Sequence, residues 1–217
     1  MAKTEHYYTV FEEGNFYHLY NRTIDKQPIF KSADNFRYFL KKYDEYLSLF
    51  TDIYAYCLLG NYFHILLRIK EDLLALPELI NPHKKSGYIN KSFKDMPTHD
   101  IISHQFRKFF QSYAMAFNKQ QGRIGTLFQT PFKRVLVKSD SYFTQLIYYI
   151  HSNPQHHNLI YDFRDWKWSS YNKILLDTIT KLKKQEVIAW FGDKNTYIEY
   201  HASLQKVMLE DSLLIED

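Results

Sequence analysis

Residues 53–69 read IYAYCLLGNYFHILLRI, two runs of aromatic, β-branched and leucine residues that flank Gly60 and Asn61. Residues of these types favour strands, and a glycine beside an asparagine favours a tight turn between them. The stretch therefore predicts a β-hairpin with strands at 53–59 and 63–69.

The segments outside the hairpin predict helices and two more strands. Apolar residues at spacings of three and four mark amphipathic helices, and serine, glycine and proline mark their ends. The predicted strands lie at 16–22 and 132–137. The predicted helices lie at 33–50 after Ser32, at 73–80, at 101–120 before Gly122, from a cap at Ser139 or Ser141 to Asn153 before Pro154, and near 166–168, 187–191 and 197–208. This order of strands and helices indicates an α+β fold.

Composition limits the class of protein. The chain has 217 residues, 45% of them hydrophobic and 18% aromatic, which is enough for one packed domain with a small appendage. Its single cysteine, Cys57, lies in an apolar run and predicts a buried thiol in a cytoplasmic protein. We expect no membrane role, because there is no run of about 18 apolar residues and no charged leader before an apolar run at the N-terminus.

Positive charge is concentrated between residues 101 and 138, where seven cations and no acidic residue give a net charge of +7. Aromatic residues alternate with these cations, and flat rings beside cations are typical of surfaces that bind unpaired bases. The segment therefore predicts nucleic-acid binding. The alternative is that the rings belong to the core and the cations solvate an outer face. The predicted DNA contacts are Arg107, Lys108, Arg123, Lys133, Arg134 and Lys138.

The helix that is predicted to end at Asn153 carries two sets of side chains. At about 100° per residue, Phe143, Leu146, Ile147 and Ile150 form one apolar stripe. Tyr142, Tyr149 and Asn153 cluster about 90° away from the stripe. Tyr149 and Asn153 are one turn apart, so both can reach the same ion or phosphate. The alternative is that Tyr149 is an ordinary half-buried tyrosine and Asn153 merely ends the helix.

Six segments, in this order, resemble the single-tyrosine HUH transposases of insertion sequences and their relatives associated with palindromic repeats. They are YHLYNR at 17–22, YAYCL at 54–58, GTLFQ at 125–129, FKR at 132–134, YIHSNP at 149–154 and WSSY at 168–171. The resemblance implies a HUH-type domain at 1–171 and a helical appendage at 172–217. It also implies a ferredoxin-like or RRM-like antiparallel sheet with helices on one face.

The resemblance implies a DNA strand transferase that acts on single strands folded into hairpins, alone or as a homodimer. Tyr149 occupies the position of the nucleophile, which forms a 5′-phosphotyrosine link and releases a 3′-hydroxyl. A phenol with a pKa near 10 is a weak nucleophile, so Mg²⁺ or Mn²⁺ neutralises the phosphate in such enzymes. His64 and Asn153 occupy two of the three ligand positions. The covalent link conserves the energy of the phosphodiester, so no nucleotide cofactor is implied.

This sequence departs from the pattern at Tyr62, where the family has its first histidine, and at Gly60, where it usually has proline. A neutral phenol is a weak ligand for Mg²⁺ or Mn²⁺. Either His64 and Asn153 suffice with water and DNA, or His18 substitutes, or the protein binds DNA without cutting it. We predict a tyrosine transposase, with a catalytically impaired DNA-binding descendant as the alternative. An RNA-binding protein of similar topology would need glycine-rich strand motifs, which the six glycines do not form.

Overall fold

The computed structural model describes residues 8–73 and 96–213. The strands are β1 (Phe16–Arg22), β2 (Thr51–Leu58), β3 (Tyr62–Ile69) and β4 (Lys133–Val137). The helices bounded within these residues are α1 (Ala33–Leu47), α2 (Thr98–Gln121), α3 (Asp140–His156), α4 (Tyr171–Leu175), α5 (Lys184–Phe191) and α6 (Lys194–Leu213), with a 3₁₀ turn at Phe163–Asp165. The helix predicted at 73–80 lies outside the described residues apart from Leu73.

The strands form one antiparallel sheet in the order β2-β3-β1-β4. Helix α1 connects β1 to β2, the hairpin joins β2 to β3, and α2 lies between β3 and β4 in the chain. This is the ferredoxin-like arrangement, which confirms the predicted α+β fold. None of the helices in the described part of the chain is long and apolar enough to cross a bilayer.

Local signals mark where α1 begins and where α1 and α2 end. The Ser32 hydroxyl accepts a hydrogen bond from the Asn35 N–H, and the Asn35 side chain accepts one from the Ser32 N–H. Helix α1 ends before the predicted limit, because Thr51 already belongs to β2 and its hydroxyl donates to the Leu47 carbonyl. Helix α2 ends at Gly122, whose φ of 58° is a left-handed conformation that glycine adopts without strain.

Helices cover both faces of the sheet. On one face, Phe63 of β3 meets Phe39 of α1, with ring centres 4.9 Å apart. On the other, Phe143 of α3 lies 5.2 Å from Phe16 of β1 and 3.8 Å from Trp190 of α5. The resemblance implied helices on one face only. The second layer covers the face to which Phe16 projects, where Phe16 packs against Phe143 and Trp190.

Most aromatic residues of the cationic segment 101–138 lie in the core. Helix α2 turns its apolar stripe toward α1 and the sheet, as amphipathic helices do. Phe132 alone among the aromatic residues of this segment is half-buried, so the expectation that these rings stack on bases is wrong for the others. The buried rings are those of Phe106, Phe109, Phe110, Tyr113, Phe117 and Phe128.

Helix α3 continues beyond the predicted end at Asn153. Pro154 lacks an N–H, but near the end of a helix this removes only one hydrogen bond. The next turn still forms, because the His157 N–H donates to the Asn153 carbonyl at 3.1 Å. At the other end, the Ser139 hydroxyl accepts from the Tyr142 N–H, so Ser139 is the cap. Asn153 therefore lies inside the helix rather than at its boundary.

The segment after residue 171 packs against α3 and the sheet. His151 of α3 shares hydrogen bonds with His201 of α6, at 3.1 Å, and with the Ser170 hydroxyl, at 2.8 Å. All three side chains are fully buried. Residues 166–168 form a turn rather than the predicted helix, and the Trp166 indole donates to the Leu58 carbonyl. The His151 bonds hold α6 and Ser170 against α3, and the Trp166 bond holds the turn against β2.

Candidate functional site

The candidate site lies on the sheet face that α3 covers. Lys133 of β4, Tyr20 of β1 and His64 of β3 stand opposite one another. Opposite residues in an antiparallel sheet project from the same face, so these three side chains form a row. The Lys133 Nζ lies 5.5 Å from the centre of the Tyr20 ring, which lies 5.5 Å from the His64 ring. Tyr149 of α3 stands beside this row, with its ring centre 5.5 Å from that of His64 and its side chain 44% exposed.

His64 is oriented by a neighbour on β1. Its Nδ1 shares a hydrogen bond of 2.9 Å with Nε2 of His18, and both rings are buried. Burial lowers the pKa of His64 to about 3, so its imidazole is neutral at physiological pH. The hydrogen bond couples the tautomers of the two rings and fixes the direction of His64. His18, the substitute ligand considered from the sequence, lies beside His64, and its Nε2 is the atom that shares this hydrogen bond.

Tyr62 and Asn153 close the other side of the site. The Tyr62 hydroxyl donates a hydrogen bond to Oδ1 of Asn153 at 3.1 Å. Burial raises the pKa of Tyr62, so the phenol stays protonated and remains a donor. The Asn153 Nδ2 donates to the Tyr149 carbonyl at 3.3 Å, and the Asn153 side chain is 1% exposed. Both polar ends of Asn153 are therefore engaged within the protein.

These donors do not fit the Mg²⁺ or Mn²⁺ ion that the resemblance implies. Oδ1 of Asn153, one of the expected ligand atoms, accepts a hydrogen bond from Tyr62, and Nδ1 of His64 is bonded to His18, so only Nε2 of His64 is left to face an ion. Mg²⁺ favours carboxylate, carbonyl and water oxygens in octahedral geometry, and Tyr62 supplies only a neutral phenol. Within residues 8–73 and 96–213, no three His, Cys, Asp or Glu side chains cluster as metal ligands do. The chemistry of this site therefore has to be derived from its own side chains.

The predicted DNA contacts lie on more than one surface. Lys133 belongs to the row beside Tyr149, and Lys138 is exposed just after β4. Arg107 is exposed on α2, which covers the opposite face of the sheet. Arg123 forms a salt bridge of 2.8 Å with Asp25. Of these cations, Lys133 is thus the one that belongs to the row beside the candidate nucleophile.

Arg134 and Lys108 are less accessible than the sequence predicted. Arg134 is 7% exposed, and its Nε donates to the Thr9 carbonyl. Its guanidinium lies 4.9 Å from the ring centre of Phe11 and 5.2 Å from that of Phe132. These contacts hold the guanidinium against the N-terminal segment, unlike the exposed phosphate contact that was expected. Lys108 is half-buried on α2.

Two residues of the site were not identified from the sequence. The Tyr20 ring lies against both His18 and His64, with its centre 4.9 and 5.5 Å from theirs. Strand alternation places it on the same face as His18, so this signal was available in the segment 17–22. His157 lies 5.2 Å from the Tyr62 ring. No local signal indicates His157, because its position depends on α3 continuing beyond Pro154.

Comparisons with known proteins give a similarity of fold. No protein-family model matches the sequence, and no curated protein matches it. Among solved structures, the chain is similar to that of a REP-associated tyrosine transposase bound to a REP hairpin. The TM-score is 0.52 and the identity is 13%, over 77% of this chain and 82% of the other. At this level of identity the similarity shows a shared fold.

Proposed function

We propose that this protein binds single-stranded or hairpin DNA on the sheet face that carries Tyr149. The observation that carries the proposal is the placement of an exposed tyrosine beside a cross-strand row with a lysine and an aromatic ring. Lys133 supplies positive charge for a phosphate, and Tyr20 supplies a ring beside it. The solved structure of similar fold is that of a protein bound to a hairpin, which supports the same class of ligand.

A single strand or hairpin fits this site better than a continuous duplex. Tyr149 and Tyr142, which are 44% and 40% exposed, lie on the same side of α3. Aromatic side chains on such a surface stack on bases only where the bases are unpaired. An unpaired strand also bends sharply enough to bring one phosphodiester to Tyr149. Lys133 of β4 and Lys138, just after β4, supply positive charge for the backbone of that strand.

Cleavage and rejoining of the bound strand is the second candidate function, and the position of Tyr149 favours it. In the first step the Tyr149 oxygen bonds to the phosphorus while the bond to the 3′ oxygen breaks. The phenolic proton passes to the leaving oxygen, directly or through the neutral His64, and gives a free 3′-hydroxyl and a 5′-phosphotyrosine. In the second step a 3′-hydroxyl attacks the phosphotyrosine, restores the phosphodiester and returns the proton to Tyr149.

Binding without cleavage is supported by the hydrogen bond between Tyr62 and Asn153. It engages the side chain that the resemblance assigns to a metal ion, and a neutral phenol attacks phosphate slowly without one. The experiment that separates these outcomes uses labelled hairpin DNA, first in a native binding assay and then in denaturing electrophoresis. Binding with a covalent adduct supports the transferase. Binding without an adduct supports a DNA-binding protein, and the absence of binding contradicts both.

A further inference from the structure

A groove lies on the sheet face opposite Tyr149, between α2 and residues 125–132. Its volume is about 660 Å³, which is in the range of small-molecule sites. Apolar side chains line much of its wall, and amide side chains are placed among them. The apolar lining includes Phe110, Ala114, Met115, Leu127, Phe128 and Phe132.

Hydrogen bonds to residues 21–24 hold the wall formed by residues 125–132 in place. The Leu127 carbonyl accepts a hydrogen bond from the Ile24 N–H at 3.0 Å. The Gln129 N–H donates to the Arg22 carbonyl at 2.9 Å, and the Gln129 carbonyl accepts from Nδ2 of Asn21 at 3.1 Å. Since these backbone groups are satisfied by the end of β1, the groove is preformed and its side chains can serve a ligand.

The chemistry of the lining favours an anion with flat rings. Among the residues that the structure describes, the charged side chains lining the groove are those of Arg107 and Arg134, with no carboxylate beside them. Gln111 and Gln129 bring amide groups, which pair with the edges of bases. The Ser103 hydroxyl lies in the wall, buried and without a hydrogen-bond partner among the described residues, and a ligand would satisfy it. A nucleotide matches these three features, with its phosphate at the exposed Arg107 and its base against the apolar wall.

The start of β4 connects this groove to the Tyr149 site. Successive residues of a strand project to opposite faces of a sheet. Lys133 projects to the sheet face on which Tyr149 lies, while its neighbours Phe132 and Arg134 line the groove on the other face. Strand β4 is at the edge of the sheet, so one DNA strand can pass around it and contact both faces.

We infer that the groove between α2 and residues 125–132 binds one or two unpaired nucleotides of the DNA strand whose phosphodiester lies at Tyr149. The inference rests on the proposed function. It adds a specificity site, because the amide side chains contact base edges rather than the backbone. It also gives a role to the GTLFQ segment at 125–129, which the Tyr149 site does not use.

The test fills the groove and measures binding of unpaired DNA. Ala114→Trp places an indole inside the groove, and Ala116→Trp places one on the same helix outside its lining. Both variants are compared with the wild type by fluorescence anisotropy, using a short unstructured oligonucleotide and a blunt hairpin without unpaired flanks. We expect Ala114→Trp to weaken oligonucleotide binding about tenfold, the effect of losing one stacked base, and to leave blunt-hairpin binding unchanged. Ala116→Trp should match the wild type for both DNAs.

The outcomes separate this inference from the proposed function. If Ala114→Trp binds the oligonucleotide as tightly as the wild type does, the groove is not a binding site, even if the hairpin is bound. The inference is also overturned if the wild type does not bind the oligonucleotide. If Ala114→Trp loses oligonucleotide binding and no protein binds the hairpin, the groove is supported as a site for unpaired nucleotides. The proposal that the Tyr149 face binds hairpin DNA is then contradicted. If Ala114→Trp does not fold, Arg107→Gln is tested instead. It should reduce the slope of log affinity against log salt concentration for the oligonucleotide by about one, the effect of losing one phosphate contact.

Discussion

The Tyr62 hydroxyl donates to Oδ1 of Asn153 at 3.1 Å, across the gap between β3 and α3. In the HUH transposases that the sequence resembles, the residues at these two positions bind one metal ion. Here the side chains bind each other, and a donor occupies the oxygen that a cation would use. The pair thus stabilises the contact between α3 and the sheet, which is a structural role for two positions that the resemblance assigns to metal binding.

Replacing Tyr62 by histidine should create affinity for Mn²⁺. The imidazole supplies a stronger ligand and removes the hydroxyl that donates to Asn153. We expect Mn²⁺ to bind at least about tenfold more tightly to Tyr62→His than to the wild type, as measured by isothermal titration calorimetry.

Tyr62→Phe is the matched control for this change. It removes the same hydroxyl without adding a ligand, so it should not gain Mn²⁺ affinity. It should lower the free energy of unfolding by about 1–3 kcal/mol, because Oδ1 of the buried Asn153 loses its partner. Equal Mn²⁺ affinity in Tyr62→Phe and Tyr62→His would show that position 62 does not supply a ligand.

Replacing Tyr149 by phenylalanine should abolish any covalent DNA adduct and leave DNA binding intact. The change removes only an oxygen from a side chain that is 44% exposed, so stability should change by less than about 0.5 kcal/mol. The control is Tyr142→Phe, which alters another exposed tyrosine of α3 and should retain the adduct. An adduct that persists in Tyr149→Phe, seen by denaturing electrophoresis with labelled hairpin DNA, would assign the chemistry to a different residue.

Acid should destabilise the protein through its buried histidines. Burial lowers the pKa of His201 from 6.5 to about 4, so the unfolded chain binds a proton in this range that the folded chain excludes. The free energy of unfolding should therefore fall as the pH drops from 6.5 toward 4, and His201 alone contributes roughly 3 kcal/mol to this fall.

The measurement is urea denaturation at several pH values. His201→Gln should show a smaller loss of stability between pH 6.5 and 4 than the wild type, because the titrating group is gone. The same pH dependence in the two proteins would exclude His201 as a source of the acid sensitivity.

Local patterns in the sequence predict most of the fold. Strand β1 has the predicted bounds, because alternation and aromatic residues identify a strand without further information. The apolar stripe of α3, from Phe143 to Ile150, is buried as the helical period requires. In both elements a single periodicity determines which side chains face the core.

The remaining features depend on contacts between distant segments. The hydrogen bond between His18 and His64 joins two strands whose register no local pattern specifies. Arg134 is buried because Phe11 and Phe132 pack on its guanidinium, although its charge alone predicts exposure. Asn153 is buried because α3 continues beyond Pro154. Each of these outcomes is decided by tertiary packing, which overrides the local preference.

The central claim is that the Tyr149 face binds hairpin or single-stranded DNA through Lys133. The most direct test measures the dissociation constant for a pool of hairpin oligonucleotides with unpaired flanks, as a function of salt concentration. Lys133→Gln is compared with Lys41→Gln, which alters an exposed lysine on α1. We predict that the wild type binds with a linear salt dependence, that Lys133→Gln reduces its slope by about one, and that Lys41→Gln does not change it. No binding by the wild type, or equal slopes for all three proteins, would contradict the claim.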